Sequence, residues 1–382
     1  MSKILITGGH LTPALSFIDY LQQQEPTIDI VFVGRKYAQV TNKQTSWEKQ
    51  EITARGIPFI AFQAQKTGSF NPLTFWQTVR RAQHILVQQQ VTHLLTFGGY
   101  LAVPFALAAK QLHLPIITHE QTRVLGRANR IISLLADQTA ISFADTKTTW
   151  FVHPVLTGNP LREQIFDSQA PAPPWFQPKK RLPLLYIAGG SQGSQTINDN
   201  ILPLLDQLTR DYTIIHQVGK ASQAHNPSAH IATYLKQNLL HFDNYYYRPF
   251  LSACELAYFY PRLHLAVSRA GANTIAELTA FRIPTLYIPL PHANYNEQYH
   301  NAHALSSQHA ALLLEQKNLL PKDLLLAINQ LDSQQQLFRD NLHRIPVDKL
   351  ANQRLLELFA FTPPASPSSP SITPARSRLV KH

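Results

Sequence analysis

The feature that most constrains the fold is an alternation of short apolar segments with longer amphipathic segments along most of the chain. The short segments are rich in β-branched residues, and the longer ones carry apolar residues at helical spacing. Buried strands that alternate with helices form parallel sheets covered by helices on both faces. We therefore predict an α/β fold. Strands are predicted at residues 4–6, 30–33, 94–97, 116–118, 184–187, 213–216, 265–268 and 285–288. Helices are predicted at residues 15–22, 75–88, 102–112 and 274–280.

The alternation is interrupted near residues 158–183, where a Gly-Asn-Pro turn is followed by a proline-rich stretch without helical periodicity. We interpret this stretch as the connection between two α/β domains of similar size. Residues 362–382 combine proline, serine and basic residues without an acid, and we expect them to form a disordered tail. The predicted boundaries are 1–162 for the first domain, 163–183 for the linker, 184–339 for the second domain and about 340–361 for a helix that packs back on the first.

An excess of basic residues indicates an anionic partner. The chain has 34 Lys and Arg residues against 23 Asp and Glu residues in a length of 382, a formal net charge of +11. The excess is concentrated in residues 52–136, which hold eight basic residues and one acid, and in the predicted tail. A membrane surface, a nucleic acid or a phosphorylated substrate would fit this charge. The sequence contains no recognised nucleic-acid-binding module, so we expect no nucleic-acid partner.

Two further properties of the sequence limit the class of protein. Cys254 is the single cysteine, which excludes a disulfide framework and a cysteine-based zinc cluster. No apolar window reaches the length of about 18–20 residues that a membrane-spanning helix needs, and the N-terminus lacks the apolar core of a secretory signal. We therefore expect a soluble or peripheral protein in the cytosol.

The strongest local signal is the segment Gly189-Gly190-Ser191-Gln192-Gly193, directly after a predicted strand. Glycines at a strand-to-helix turn let backbone N–H groups approach a ligand, and the N-terminus of a helix favours an anion. The hydroxyl of Ser191 adds a further donor for a phosphate. The alternative is a tight turn in which the glycines serve only steric needs, but the position after a buried strand favours phosphate binding.

Two segments in the second half carry polar residues suited to a sugar nucleotide. In the first, Glu277 either accepts hydrogen bonds from ribose hydroxyls or forms a capping box with Thr274 at the start of a helix. In the second, Asn296 and Gln298 follow a strand end, and their amides can both donate to and accept from sugar hydroxyls. The alternative for the second segment is a solvated loop. The residues alone leave both choices open.

His10 stands at the entrance to a predicted helix, in the turn Thr7-Gly8-Gly9-His10. A histidine there can act as a general base with a pKa near the working pH, or it can be structural. Other histidines do not make a metal site. The run that begins at His119 has Arg123 where the second ligand of a zinc-protease helix belongs, and His300-x-x-His303 is too short a pattern. We predict no metal and no cofactor.

A segment around residue 75 mixes bulky apolar side chains with cations. Such a patch suits the surface of an anionic bilayer, and the alternative is a helix packed on its own domain. The apolar residues are Phe70, Leu73, Phe75, Trp76 and Val79, and the cations are Lys66, Arg80 and Arg81.

Together these segments resemble the MurG-type glycosyltransferases, in register from about residue 4 to residue 305 and more weakly to about residue 360. The resemblance implies a GT-B architecture, in which two Rossmann-like domains face a cleft. The matching motifs are Gly8-Gly9-His10 with Pro13-Ala14, Phe97-Gly98-Gly99-Tyr100, His119-Glu120-Gln121, Thr157-Gly158-Asn159-Pro160-Leu161-Arg162, Gly189-Gly190-Ser191-Gln192-Gly193 with Asn198, His216-Gln217, Gly271-Ala272 with Glu277, and Gln298 with Asn301-Ala302.

The resemblance also implies an activity. Such an enzyme moves N-acetylglucosamine from UDP-N-acetylglucosamine to the C4 hydroxyl of N-acetylmuramoyl-peptide on undecaprenyl pyrophosphate, the step from lipid I to lipid II in peptidoglycan synthesis. The transfer would be inverting and independent of metal. The enzyme would lie peripherally on the cytoplasmic face of the cell membrane, against an anionic inner leaflet. Proteins of cell-wall synthesis or division would be further partners.

The family's functional residues carry over by position, with His10 as the catalytic base. In the donor site, Ser191 would face the UDP phosphates, Leu251 would lie beside the uracil, and Glu277 would accept from the ribose hydroxyls. The implied donor residues are Gly190, Ser191, Gln192, Leu251, Ala272, Asn273, Glu277, Gln298, Thr122 and Arg162. The implied acceptor residues are Gly8, Gly9, Tyr100, Glu120 and Asn129.

Three positions depart from the family's pattern. The first loop usually reads Gly-Gly-Thr-Gly-Gly-His, and here only Thr7-Gly8-Gly9-His10 follows the strand. Thr122 replaces an asparagine, and Glu297 stands where many relatives have histidine or glutamine. These departures keep two alternatives open. One is another GT-B enzyme, such as a lipid glycosyltransferase or a UDP-N-acetylglucosamine epimerase. The other is a non-catalytic UDP-binding scaffold of the cell-wall synthesis complex.

Overall fold

The computed structural model describes most of the chain. The described residues are 2–39, 42–64, 71–190, 193–221, 226–291, 293, 296–347 and 349–359. The predicted tail at residues 362–382 lies outside the described residues, as do Ser191, Gln192, Lys66 and Phe70.

The first half of the chain is built on a parallel sheet that has helices on both faces. Its strands are β1 (Lys3–Thr7), β2 (Asp29–Gly34), β3 (Tyr37–Gln39), β4 (Asn42–Thr45), β5 (Phe59–Ala61), β6 (His93–Thr96), β7 (Ile116–Glu120), β8 (Gln138–Ile141) and β9 (Val155–Leu156). The order β5-β2-β1-β6-β7-β8-β9 makes one sheet, and β3 and β4 form a separate antiparallel hairpin. In β1, Ile4 and Ile6 enter the core on one face and Leu5 enters the core on the other. This two-residue alternation buries the strand on both sides, which explains its continuous apolar sequence.

Helices of the first half follow the carboxyl ends of these strands. His10 is the N-cap residue of the first of them, and Ser46 caps the second, with its Oγ accepting from the Lys49 amide at 3.2 Å. The helices are α1 (Leu11–Gln24), α2 (Trp47–Ala54), α3 (Pro72–Gln88), α4 (Ala102–Gln111) and α5 (Arg127–Ile132).

The second half repeats the plan with a parallel sheet of its own. Its strands are β10 (Leu184–Ala188), β11 (Thr213–Gln217), β12 (Tyr245–Arg248), β13 (Leu263–Ser268), β14 (Thr285–Tyr287) and β15 (Leu312–Leu313), in the order β12-β11-β10-β13-β14-β15. Leu185 and Ile187 of the central strand enter one core, and Tyr186 and Ala188 enter the other. The helices are α6 (Gln195–Ile201), α7 (Leu205–Asp211), α8 (Pro227–Gln237), α9 (Ala253–Phe259), α10 (Ala272–Ala280), α11 (Glu297–Ser306), α12 (Pro321–Ser333), α13 (Gln335–Arg344) and α14 (Ala351–Glu357). Short 3₁₀ helices lie at Glu163–Phe166, Leu202–Leu204 and Tyr260–Arg262.

The last helix, α14, returns to the first half of the chain. Its Asn352 side chain donates to the Leu161 carbonyl at 3.1 Å and to the Ser16 hydroxyl at 3.2 Å. Just beyond the helix, the ring of Phe359 stacks on Phe17 with a centroid distance of 5.9 Å. The helix therefore fastens the end of the second half to α1 and to the segment before the linker. The exact domain boundaries stay a prediction.

Two glycine turns of the first half pack against each other through their backbones. A Cβ atom on Gly9 would lie 2.2 Å from the Gly98 carbonyl oxygen, and one on Gly99 would lie 2.9 Å from the Cα of Gly9. Gly99 also has a φ of +81°, which favours glycine. The loops after β1 and β6 can approach this closely only because neither carries side chains there.

The predicted α/β fold with two parallel sheets is confirmed. Each predicted strand is present, and the predicted helices overlap α1, α3, α4 and α10. The strands that the sequence did not predict are short or polar, such as β8, which lies between β7 and β9, and β12, which lies at an edge. Pairing with neighbouring strands rather than an apolar run defines them. Among the described residues, no helix combines the length and the apolar character needed to cross a membrane.

Candidate active site

A cavity of about 940 Å³ lies between the two halves of the chain. On one side it is closed by the faces of α1 and α2. On the other side it is closed by the loops that follow the carboxyl ends of β10 to β14, where parallel sheets commonly bind ligands. Gly190, Gln217, Leu251, Gly271 and Leu290 mark these loops in chain order.

The glycine loop after β10 turns sharply into α6. A Cβ atom on Gly189 would lie 2.1 Å from the Ser194 amide nitrogen, so the turn closes on itself. Ser194 is the N-cap of α6, and its Oγ accepts from the Ile197 amide at 3.3 Å. The loop therefore brings the positive end of a helix to the cavity wall, as phosphate binding requires. Ser191 and Gln192 lie outside the described residues, so their predicted contacts with phosphate stay predictions.

Gly193 and Gly190 offer a matched test of this loop, because both have a positive φ, +77° and +82°. A Cβ on Gly193 would lie 2.2 Å from the Val218 carbonyl oxygen, whereas a Cβ on Gly190 would meet no described atom within 4 Å. We expect Gly193→Ala to lower the free energy of unfolding by about 2–4 kcal/mol through backbone strain and overpacking. Gly190→Ala should cost only about 1–2 kcal/mol. Urea denaturation measures both, and equal losses would contradict the assignment of Gly193 to a packing role.

Arg269 ties the glycine loop to two neighbouring loops. Its guanidinium donates to Ser194 Oγ at 2.6 Å, to the Ile288 carbonyl at 2.9 Å and to Gln316 Oε1 at 2.5 Å. Burial lowers the pKa of Arg269 to about 10, so it remains a cation at neutral pH. Sequence reasoning about this segment identified Glu277 and gave Arg269 no role. This arginine places a positive charge beneath the predicted phosphate loop.

Glu277 is buried at the floor of the cavity and holds an ion pair with Arg162. The Arg162 guanidinium donates to the two carboxylate oxygens at 2.7 and 2.9 Å, and the Tyr260 hydroxyl donates to the same carboxylate at 2.9 Å. The capping-box interpretation with Thr274 is wrong, because α10 begins at Ala272 and Glu277 lies in its interior. The role of Glu277 toward ribose stays a prediction.

The surroundings of this ion pair favour its charged form. Burial lowers the pKa of Arg162, but the nearby Glu277 carboxylate outweighs burial and the pKa is raised overall. Burial together with the same carboxylate raises the pKa of Tyr260 well above its usual value. Tyr260 therefore stays a neutral hydrogen-bond donor. The sequence predicted Arg162 and Glu277 separately, and their pairing was missed because they are far apart in the chain.

The residues predicted beside the uracil and the transferred sugar lie on the cavity wall. Leu251 is fully buried, and its amide donates to Gln217 Oε1 at 3.1 Å. Asn273 Oδ1 accepts from the Asn159 side chain at 2.8 Å. The Gln298 side chain accepts from the Leu290 amide at 3.0 Å. These bonds hold the loops in place, and the cavity also has Ala272 in its wall. Gln298 lies in the first turn of α11 and lines the cavity, so the solvated-loop alternative does not describe this residue.

His10 lies beside the cavity, two residues before Thr12, which lines it. Its amide donates to the Phe97 carbonyl at 3.3 Å, so the two glycine turns fix the position of the residue. Burial lowers the pKa of the His10 ring, and the Glu120 carboxylate partly offsets this effect. A histidine whose pKa is lowered is neutral at pH 7, as a general base must be.

Glu120, Thr122 and Asn129 form a buried network rather than part of the cavity wall. Glu120 accepts from the Thr122 hydroxyl at 2.7 Å and from the Asn129 side chain at 2.9 Å, and the amides of Thr122 and Gly126 also donate to it. All three side chains are at most 4% exposed. Tyr100 is partly buried on the core of the first half. The predicted contacts of these four residues with donor or acceptor stay predictions.

Gln121, between two members of the network, does reach the cavity. Its Oε1 atom is buried and has no hydrogen-bond partner among the described residues. Glu297, in the second half, also lines the cavity. Burial and the Glu120 carboxylate both raise the pKa of its carboxyl group. Gln121 stood inside a predicted motif but was given no role.

The part of the cavity wall that α1 and α2 supply was not predicted. Its residues share faces of α1 and α2 at helical spacing rather than a contiguous motif, so the sequence gave no local signal for them. They are Thr12, Leu15, Asp19, Trp47, Glu51 and Arg55. Among the described residues, no three histidine, cysteine or acidic side chains form a group that could hold a metal ion.

Comparisons with known proteins agree with this geometry. Residues 7–141 match the glycosyltransferase family 28 N-terminal domain, and residues 184–352 match the glycosyltransferase family 28 C-terminal domain. The chain is similar to proteins named UDP-N-acetylglucosamine–N-acetylmuramyl-(pentapeptide) pyrophosphoryl-undecaprenol N-acetylglucosamine transferase. The one from Alcanivorax borkumensis is 32% identical, over 82% of this chain and 84% of that protein. The one from Desulforamulus reducens is 31% identical, over 85% of this chain and 87% of that protein.

The chain is also similar to solved structures over nearly its whole length. The crystal structure of Acinetobacter baumannii MurG covers 94% of this chain and 99% of its own, at 25% identity and a TM-score of 0.68. The UDP complex of Staphylococcus aureus MnaA covers 95% of this chain and 99% of its own, with 14% identity and a TM-score of 0.62. The second likeness concerns the fold alone.

Proposed function

The chain belongs to the family of the UDP-N-acetylglucosamine–N-acetylmuramyl-(pentapeptide) pyrophosphoryl-undecaprenol N-acetylglucosamine transferases, and on that premise we propose that it catalyses the step from lipid I to lipid II of peptidoglycan synthesis. N-acetylglucosamine moves from UDP to the C4 hydroxyl of the N-acetylmuramoyl group. The observation that carries the proposal is the cavity between the two sheets, with a glycine loop and a helix N-terminus on one wall and His10 beside the opposite wall.

The donor lies along the loops of the second half. The diphosphate sits at the glycine loop, against Gly190 and the predicted donors Ser191 and Gln192, where the amides of α6 and the charge of Arg269 attract it. The uracil lies beside Leu251, and the ribose hydroxyls reach Glu277 with Arg162 behind it. Ala272, Asn273 and Gln298 surround the sugar, with Thr122 supporting the loop on the opposite side.

The acceptor enters from the first half, near Gly8, Gly9 and Tyr100, with Glu120 and Asn129 shaping the loop beneath. Its hydroxyl oxygen attacks the anomeric carbon of the sugar while the bond from that carbon to the UDP oxygen breaks. The hydroxyl proton passes to the neutral ring of His10, and UDP leaves with the bonding electron pair. A single displacement inverts the anomeric carbon. The proposed reaction requires neither a metal nor a cofactor.

Two effects account for the rate in this mechanism. Hydrogen-bond donors at the glycine loop stabilise the charge that develops on UDP, and one well-placed donor contributes about 3–4 kcal/mol. A general base in position contributes about 10²–10⁴-fold. The turn that fixes His10 and the helix that presents the loop belong to different halves, so the base and the stabilised leaving group act from opposite sides of the cavity.

The direct test is transfer of radiolabelled N-acetylglucosamine from UDP-N-acetylglucosamine to a lipid I analogue, with UDP-glucose as competitor. We expect a lipid-linked disaccharide product and little inhibition by UDP-glucose. Conversion of the donor to its 2-epimer without acceptor would support an epimerase instead. Binding of UDP without any transfer would support a scaffold.

A surface on α3 supports a position at the cytoplasmic face of the cell membrane. Leu73 is 70% exposed and Trp76 is 50% exposed, with the exposed cations Arg80 and Arg81 on the same helix. Val79 is buried, so one face of the helix packs on its own domain while the start of the helix presents apolar groups outward. The segment therefore combines a face packed on its own domain with an exposed apolar and basic surface suited to a bilayer. Phe70 and Lys66 lie outside the described residues.

Replacing both Arg80 and Arg81 with glutamine should weaken binding to vesicles of phosphatidylcholine and phosphatidylglycerol by about 30-fold, since each cation near an anionic surface contributes about 1 kcal/mol. Trp76→Ser should weaken it further by removing an interfacial aromatic ring. Sedimentation with vesicles measures the effect. Leu326→Ser, at an exposed leucine of α12, is the matched control and should leave binding unchanged. If the arginine variant bound vesicles as well as the unmodified protein, the two arginines would not contribute to membrane binding.

A further inference from the structure

The two halves of the chain make a direct contact at the cavity wall, where Trp47 of the first half and Phe250 of the second both line the cavity. The ammonium group of Lys220 lies 4.2 Å from the ring centroid of Trp47 and 4.5 Å from that of Phe250. The two rings also meet edge to face, with a centroid distance of 5.9 Å and an interplanar angle of 75°. Trp47 belongs to α2 in the first half, whereas Lys220 and Phe250 belong to loops of the second half. We name these three residues the aromatic clasp.

The clasp lies at the end of the cavity assigned to the nucleoside. Phe250 directly precedes Leu251, the residue predicted beside the uracil. Lys220 follows the end of β11, and its loop is tied to the Phe250 loop because the Gly219 amide donates to the Pro249 carbonyl at 3.2 Å. Gln217 of the same loop accepts from the Leu251 amide at 3.1 Å. A movement of Lys220 or Phe250 would therefore move the wall beside the base.

Trp47 is held firmly on its own side. Its indole Nε1 donates to Glu51 Oε1 at 2.7 Å, and the other Glu51 oxygen accepts from Arg55 at 2.9 Å. Arg55 in turn donates to both oxygens of Asp19 on α1, at 2.6 and 3.2 Å. This chain of bonds anchors the ring to two helices, so the indole is preorganised to meet the opposite half.

We propose that Trp47 is a positioning residue for the donor: its ring, through Lys220 and Phe250, holds the first half closed over the nucleoside end of the cavity. The proposal rests on the assignment of UDP-N-acetylglucosamine as the donor. A cation against two aromatic faces gains from the electrostatic field of each ring, and the edge-to-face pair adds to it. Nucleotide affinity then depends on α2 of the first half, although most of the predicted donor-binding residues lie in the second.

Titration of the purified full chain with UDP tests the proposal. We expect Trp47→Ala to raise the dissociation constant for UDP about 10-fold and Lys220→Met to raise it about 5-fold, in line with the size of cation–aromatic contacts. Trp47→Phe keeps a ring and should recover most of the affinity. Trp150→Ala is the matched control, because Trp150 is 91% exposed and away from the cavity wall.

Steady-state kinetics separate positioning from a merely structural role. Loss of the clasp should raise KM for UDP-N-acetylglucosamine about 10-fold, while kcat at saturating donor and the melting temperature stay close to those of the unmodified enzyme. An unchanged dissociation constant in Trp47→Ala and Lys220→Met would overturn the inference, as would a parallel loss of kcat and melting temperature without rescue by phenylalanine. Failure of the unmodified protein to bind UDP would instead overturn the proposed function.

Discussion

Glu277→Ala is expected to lower the free energy of unfolding by about 3–5 kcal/mol and to abolish measurable binding of UDP. The substitution leaves the Arg162 guanidinium without a countercharge in a site where its side chain is only 20% exposed. It also removes the acceptor of the Tyr260 hydroxyl, which sits at 2.9 Å. An unpaired buried charge is far more costly than the loss of an exposed ion pair, because water cannot replace the missing partner.

The double variant Arg162→Met with Glu277→Leu separates the charge from the packing. Removing both partners takes away the uncompensated charge, so this variant should be more stable than either single variant. Asp206→Ala, which breaks the exposed pair of Asp206 and Arg210 on α7, is the control and should cost about 0.3–0.5 kcal/mol. Urea denaturation gives the free energies of unfolding of Arg162→Met, Glu277→Leu, the double variant and the control. Additive losses in the double variant would show that the pair is not coupled.

A nucleotide assay on Glu277→Gln gives the functional part of the same experiment. Glutamine keeps the size of the side chain and one acceptor oxygen, so the fold should be better preserved than in the alanine variant. If the carboxylate takes the ribose hydroxyls, UDP affinity should still fall, since an amide offers one acceptor where the carboxylate offers two. UDP affinity equal to that of the unmodified protein would contradict the predicted ribose contact.

The sequence predicted those parts of the fold that are encoded locally. The apolar run of β10 predicts a strand, and the glycines after it predict a turn. Both predictions depend only on the local sequence. The edge strand β12, with its run of tyrosines, is defined by its pairing with β11. Its local sequence therefore did not predict a strand. The parallel sheets could therefore be predicted, while their outer strands could not.

The same distinction applies to the candidate site. Gly190, Leu251 and Gln298 follow strand ends, so the topology alone places them on the cavity wall. The pairing of Arg162 with Glu277 depends on how the linker folds across α10, and the clasp at Trp47 depends on how α2 faces the second half. Neither contact produces a periodic pattern in the sequence from which it could be predicted. Burial of Glu120 was missed for a related reason, since a carboxylate satisfied by neighbouring donors is indistinguishable in sequence from one that binds substrate.

The largest effect on turnover is expected from His10→Ala, which should lower kcat by about 10²–10⁴-fold. The substitution removes the group that takes the proton from the acceptor hydroxyl, and the donor is bound elsewhere, so UDP affinity should change little. Transfer to a lipid I analogue measures kcat, and His343→Ala, at an exposed histidine of α13, is the control. Near-normal turnover in His10→Ala would show that another group is the base.

The pH dependence tests the same assignment without a substitution. Burial lowers the pKa of His10 from its usual 6.5, with Glu120 partly opposing the shift. A base acts in its neutral form, which predominates above its pKa. Turnover should therefore be at its plateau at pH 7 and should fall only as the pH drops through a value below 6.5. His10→Ala should lose this acidic limb together with its turnover. An acidic limb that persists unchanged in the residual activity of His10→Ala would belong to a different group. Glu297 is a candidate, because burial and the Glu120 carboxylate raise the pKa of its carboxyl group.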